Sequence, residues 1–269
     1  MSEANHTIFA WEPLTPRGVA AFAHAGLGRL LIMQLLVALL AAASVAWFLD
    51  DSVFPVIDTA IQSLPATGEI RHAKLDWRGD SPVLLAEGRF LALDVDLDHT
   101  GNINSTADLQ IEFGRDEVWA LALLGYAEVF YPSGDIIAFN RTELEPVWGA
   151  WRAVILFLAA VATAAGLLVF CWLLATLYFL PAWLLGFFVN RDLNFRRSWK
   201  LSGAVVLPGA LLMAAGVVLY DLGAVDLVQF GFIFAAHLAL GWIYLFVSLL
   251  FVPAIPTALP KGNPFVARN

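Results

Sequence analysis

Ala153–Val189 reads AVILFLAAVATAAGLLVFCWLLATLYFLPAWLLGFFV, 37 residues without an Asp, Glu, Lys or Arg. Roughly 20 apolar residues suffice to cross a hydrocarbon core about 30 Å thick. The run is too long for one span and short for two with a turn. Pro181 lies near where a span starting at Ala153 leaves the bilayer, and proline breaks or kinks a helix interior. Ala153–Leu180 is therefore read as the crossing. Ala182–Val189, with Trp183, Phe187 and Phe188, is read as an interfacial or re-entrant extension, and a second crossing within the run is the alternative.

Outward from this run, Leu30–Trp47, Leu201–Tyr220 and Leu227–Pro260 also lack charge. The first two fit one crossing each. The last holds a crossing at about Phe230–Phe251, followed by Pro253, Pro256 and Pro260. The first run is longer than the roughly 7–15 apolar residues of a signal peptide, so a retained anchor is expected. Of all 269 residues, 60% are apolar and 14% charged, and mean hydropathy is +0.75. A single soluble globular domain, a disordered chain and a collagen-like chain are excluded. A net charge of -8 and a pI near 5.0 oppose binding to nucleic-acid phosphates. The lone Cys171 excludes an intrachain disulfide and a multi-cysteine zinc site.

The expected fold is an integral membrane α-helical bundle of four transmembrane helices with a small extracytoplasmic α+β domain. Its parts are a cytoplasmic lead-in at 1–29, helix 1 at 30–49 and the outer domain at 50–150. Helix 2 with its extension occupies 151–189, then come a basic cytoplasmic linker at 190–200, helix 3 at 201–220 and a short outer loop at 221–227. Helix 4 at 228–252 and a cytoplasmic tail at 253–269 complete it.

Positive residues near helix ends mark the cytoplasmic side. The linker carries Arg191, Arg196, Arg197 and Lys200 against Asp192 alone, the tail carries Lys261 and Arg268, and the loop after Tyr220 has only acids. Both termini are thus expected inside a bacterial plasma membrane. Arg152, at the outer end of helix 2, dissents. Asp50–Gly149 holds 18 acidic and 6 basic residues, but long loops translocate largely regardless of charge.

Thr15-Pro16 reads as an N-cap with proline at the first helical position. Residues 16–26 read either as a short surface helix, with Val19, Phe22 and Ala23 toward lipid, or as a plain lead-in. In the outer domain Leu91, Leu93, Val95 and Leu97 alternate with Ala92, Asp94, Asp96 and Asp98, and Leu109, Ile111 and Phe113 with Asp108, Gln110 and Glu112. Both are the period of half-buried strands. Ala73, Leu75 and Trp77 suggest a further strand, Pro55–Leu64 a helix, and Glu117–Leu124 either. Gly-Asp, Gly-Asn and Pro-Ser-Gly clusters supply turns.

Asp96-Leu-Asp98-His99-Thr100-Gly101 starts like an EF-hand loop, but its twelfth position is Ala107, where a bidentate Glu is needed. A polar turn is the plainer reading, and no metal or cofactor is assigned. His237 is an ionisable residue within an uncharged span, which marks a functional candidate; without an acid at that depth, a hydrogen bond to a neighbouring helix is expected. Small residues recur every fourth position at Ala38, Ala42 and Ala46, at Ala162 and Gly166, at Ala210 and Ala214, and at Gly231, Ala235 and Ala239, as on faces where helices approach closely. Arg191, Arg196, Arg197 and Lys200 form an inner surface able to attract anionic lipid. Trp47, Trp148, Trp151 and Trp199 read as interfacial anchors. Asn104-Ser-Thr and Asn140-Arg-Thr are sequons. No H-E-x-x-H, G-x-S-x-G, P-loop or G-x-G-x-x-G motif occurs.

Three places carry a family resemblance: Thr15-Pro16-Arg17; Leu91–Gly101 with Leu109–Phe113 and Gly114-Arg-Asp116; and Asn194–Gly203 leading to Leu207-Pro208. In these the chain resembles a bacterial membrane family known as domain of unknown function 1189, itself similar to the Yip-like membrane proteins. The resemblance implies an inner-membrane protein accessory to transport or membrane organisation. The expected function is a non-enzymatic accessory or scaffold, docking another membrane component through the outer edge Asp94, Asp96 and Asp98 and through helix faces. A small transporter or channel subunit is the alternative. The expected partners are the bilayer and a membrane protein, not nucleic acid.

Overall fold

The computed structural model describes residues 11–134 and 136–255. The basic tail residues Lys261 and Arg268, and most of the expected cytoplasmic tail, lie outside the described residues. The helices are α1 Pro16–Phe22, α2 Leu27–Phe48, α3 Phe54–Ser63, α4 Arg141–Phe188, α5 Phe195–Val205, α6 Leu207–Asp221 and α7 Leu227–Leu249. Between α3 and α4 run β1 Glu69–Arg71, β2 Lys74–Asp76, β3 Val83–Glu87, β4 Leu91–Val95, β5 Leu109–Phe113, β6 Glu117–Ala122, β7 Gly125–Phe130 and β8 Ile137–Ala138. Among the described residues, four helical segments are long and apolar enough to cross a membrane: Leu27–Ser63, Arg141–Phe188, Phe195–Asp221 and Leu227–Leu249.

All four segments differ from the expected boundaries, the last only by running Leu227–Leu249 rather than 228–252. A π-helical turn, Leu49–Val53, joins α2 to α3, so helix 1 continues through Asp50 and Asp51. α4 is unbroken for 48 residues and passes through Pro181. Without a reversal in it, neither a second crossing nor a re-entrant turn exists within 153–189. The basic linker turns helical at Phe195, because the Asn194 side chain accepts the Arg197 N–H at 2.9 Å and caps α5.

The chain divides into two compact units. The first comprises Met1–Ala41, Ala164–Met213 and Phe232–Asn269. Thr15 caps α1 as the sequence indicates, accepting the Gly18 N–H at 3.0 Å. The face expected toward lipid is instead core: Val19, Phe22 and Ala23 are fully buried, together with Leu30, Leu201 and Leu245. The reason is size, since Gly18, Ala20 and Ala21 let α1 lie against α5, whose own buried face is Ser198, Ser202, Gly203 and Ala204. Buried Gln34 ties this unit together. It donates to the Gly203 carbonyl at 3.1 Å and accepts the Trp172 indole N–H at 3.2 Å.

The second unit comprises Ala42–Thr163 and Ala214–Gly231. It holds a three-stranded sheet, β2-β1-β8, and a five-stranded sheet, β3-β4-β5-β6-β7. All neighbours are antiparallel except β4 and β5, which pair in parallel from Leu91↔Leu109 to Val95↔Phe113. A parallel pair needs a chain crossover, and here residues 96–108 make it without a helix. One face of the larger sheet joins Val56, Ala60 and Leu64 of the α3 region in an apolar core with Leu91, Val95 and Phe113.

Candidate functional site

The other face of that sheet is polar. Register sets Asp94 beside Glu112, Glu112 beside Trp119, and Trp119 beside Glu128. The alternation of β4 is as read, but its acidic face is not an open surface. Asp94 is 0% exposed, Asp96 1% and Glu112 4%. The docking edge expected at Asp94, Asp96 and Asp98 therefore keeps only Asp98 at the surface, where it pairs with Arg115 at 3.1 Å. The β4–β5 crossover packs against these acids: its His99 meets Glu112, and its Thr100 and Gly101 meet Asp96. The His99 ring stacks on Trp119 with centroids 3.9 Å apart and planes 10° from parallel. Its Nδ1 bonds Glu112, and its Nε2 lies 3.6 Å from Glu117. Gly114 is required beneath it, since a Cβ there would come within 2.2 Å of Nε2.

Asp96 closes the loop that resembles an EF-hand. Its carboxylate accepts from the Thr100 hydroxyl at 2.6 Å and from the Gly101 N–H at 3.2 Å, so it serves a local turn. Among the described residues no His, Cys, Asp and Glu cluster suits a metal ion. Asp94 accepts from Gln110 at 3.0 Å through Oδ1, while buried Oδ2 has no partner. Burial pushes the Asp94 carboxyl up to about 7, and the neighbouring Glu112 and Asp96 charges add to the rise.

What the sheet does expose is its far edge. All six residues of β7 are exposed, among them Tyr126, Val129 and Phe130. β7 has a neighbour on one side only, so half its backbone hydrogen-bonding groups face outward. Glu128 is its single charge. The sequence alone leaves Glu117–Leu124 undecided and assigns no role beyond it. The alternation of Tyr126 and Glu128 with Ala127 and Val129 is the signal that could have found the strand.

In the first unit the four cations of the 190–200 stretch have separate tasks. Arg191 donates to the Val252 carbonyl at 2.9 Å, Arg197 pairs with Asp192 at 2.5 Å, and Lys200 donates to the Ala25 carbonyl at 2.5 Å. Arg196 is exposed and, with Lys200 and Trp199, lines a cavity of about 350 Å3 at Ala25–Leu27. Nearby His24 lies 3.5 Å from Asp192. Burial, then repulsion from Arg197, holds its imidazole below the usual range.

His237 bonds the Phe234 carbonyl of its own helix rather than a neighbour. Three residues separate the two, so the ring folds back on the preceding turn. Ala38 and Ala42 are buried and Ala46 is half-buried, as a packing face requires. Gly231, Ala235 and Ala239 are exposed, so among the described residues they form no buried helix contact. The close approach on α7 falls instead at the His237 carbonyl, 2.7 Å from where a Cβ on Gly209 would lie. The dissenting Arg152 is neutralised by Asp50 at 3.0 Å and Asp58 at 2.9 Å. The Trp47 indole donates to Asp221 at 2.7 Å, and Trp148 donates to Asp58. Asn140 of the second sequon is buried and caps α4 through the Glu143 N–H. No family model matches the chain, and no characterised protein or solved structure does.

Proposed function

We propose that the protein is a non-enzymatic membrane scaffold, whose sheet domain docks an extended segment of another membrane component along β7. The open, nearly uncharged β7 edge carries this reading. Long apolar edges are normally blunted by lysine, proline or a bulge, and Gly125–Phe130 has none of these. Strand addition supplies backbone hydrogen bonds, and side-chain pockets add selectivity. The exposed Gly231, Ala235 and Ala239 stripe gives a second face on which a partner helix can lie closely.

In this reading the four spans sit in a bacterial plasma membrane, with the sheet domain outside and both termini inside. The cluster Arg191, Arg196, Arg197 and Lys200 supports that orientation, and the pairing of Arg152 removes the one contrary charge. Membership in the family of domain of unknown function 1189 is part of the proposal and rests on Thr15-Pro16-Arg17, Leu91–Gly101 and Asn194–Gly203 with their flanking motifs. Two polar groups inside the spans already have partners, which supports a scaffold over a transport path. Gln34 is satisfied by the protein and His237 by its own helix.

The test is a photo-activated cross-linking residue in place of Val129 in membranes of the native host. Capture of a second polypeptide, mapped to an extended segment and abolished by Ala127→Lys, is expected. Capture that persists with Ala127→Lys, or no capture with the protein folded, overturns docking at this edge.

A further inference from the structure

The turn joining β6 to β7 is Leu123-Leu124, since Ala122 pairs with Gly125. Two-residue hairpin turns favour Asn-Gly, Asp-Gly or Gly-containing pairs, for their positive φ and their polarity. Two leucines satisfy neither preference. Leu124 is 99% exposed and Leu123 65%. Val118–Ala127 contains no charged residue, and Tyr126, two residues past the tip, is also exposed. An apolar projection of this kind in an otherwise acidic domain has a partner that excludes water.

The surroundings of the tip indicate which one. A cavity of about 340 Å3 is shared by Leu121, Ala122 and Leu123 of the hairpin and by Asp226, Leu227 and Val228 at the start of α7. α7 has 23 residues. At 1.5 Å per residue it spans about 34 Å, close to the thickness of a hydrocarbon core, so its first turn lies at the membrane boundary. Leucines beside that turn are at the height of the lipid glycerol and upper acyl chains. Tyr126 is then at headgroup level, where aromatic residues with a polar tip concentrate.

We propose that the Leu123-Leu124 tip is a lipid anchor, inserted into the leaflet at the Leu227 end of α7. It holds the hairpin of the sheet domain at the bilayer. The proposal rests on the reading of α7 as a membrane span, and its test separates the two.

Single cysteines are placed at Leu124, Phe232 and Ser133 in a Cys171→Ala background. Each is labelled with an environment-sensitive fluorophore and reconstituted into phosphatidylcholine vesicles whose acyl chains carry a nitroxide near the glycerol. Phe232 is an exposed position of α7, and Ser133 an exposed position in another loop of the sheet domain. The expected result is a shift to shorter wavelength and loss of most fluorescence at 124 and 232, with 133 unaffected. Quenching at 232 while 124 behaves like 133 overturns the anchor and leaves the span intact. Quenching at neither 124 nor 232 overturns both. Cross-linking of 124 to a second copy without quenching overturns the anchor in favour of contact between copies.

Discussion

Asp94 occupies a strand position whose alternation was legible in the sequence, yet its burial was not. Period-2 patterning tells which residues share a face, not whether a loop covers that face. Here the crossover sets His99 on Glu112, thirteen residues further along the chain and the strand partner of Asp94, and no spacing rule points to that pair. Asp96 shows the same limit: the turn was legible, while the burial of the acid that holds it was not. Burial of Asp94 has a pH consequence. The unfolded chain releases this proton near 3.8 and the folded chain near 7. Between those values the folded state binds more protons, so stability falls as pH rises. The full effect is at most about 4 kcal/mol, reached above pH 7. Asp94→Asn keeps a polar group against Gln110 and cannot ionise. Thermal unfolding in detergent from pH 5 to 8 is therefore expected to show wild type losing stability relative to the variant as pH rises. Parallel curves for the two would refute the buried, proton-holding carboxyl.

At the scale of elements, uncharged length located the apolar helices, and alternation located β4 and β5. Their ends were less legible, because the deciding groups are local: Asn194 starts α5 inside the basic linker, and a π-helical turn carries helix 1 past two aspartates. Pro181 misled because a proline inside an apolar helix need not end it, since neighbouring groups re-satisfy the freed carbonyl. Helix faces were the hardest to assign. Alanine and glycine are so common here that a fourth-residue stripe occurs on exposed and buried faces alike, as Gly231–Ala235–Ala239 and Ala38–Ala42 show. One close approach between α6 and α7 falls at a glycine. A side chain at Gly209 would meet the His237 carbonyl, which belongs to backbone and cannot swing aside. Gly209→Val is expected to cost about 1–3 kcal/mol, whereas Gly166→Val, where nothing lies within 4 Å, costs much less. Detergent-unfolding midpoints of the two variants would measure the difference, and equal midpoints would show that α6 and α7 do not rely on this approach.

For the whole molecule, composition alone required a second apolar solvent, and four helical segments meet that requirement. The parallel β4–β5 pairing, by contrast, joins strands that hairpin reasoning would have made antiparallel, so the topology of the larger sheet was not legible. Sidedness, at this scale, is a matter of electrostatics. Arg191, Arg196, Arg197 and Lys200 flank the apolar segments within one short stretch, while Asp221 and Asp226 flank the next connection. Arg152, in α4 and apart from that stretch, is held by two carboxylates, so it adds little net charge where it lies. If short-loop cations set orientation, cysteines replacing Ser133 and Arg196 in a Cys171→Ala background label from opposite sides of intact cells, Ser133 from outside. Arg196 is the better inner probe than neighbouring Ser198, whose side chain is fully buried. α4 runs without reversal from Arg141 to Phe188, so one crossing separates the two positions. Labelling of both from the same side would therefore require α4 to lie along the membrane rather than through it, and would remove the basis for an outer docking domain.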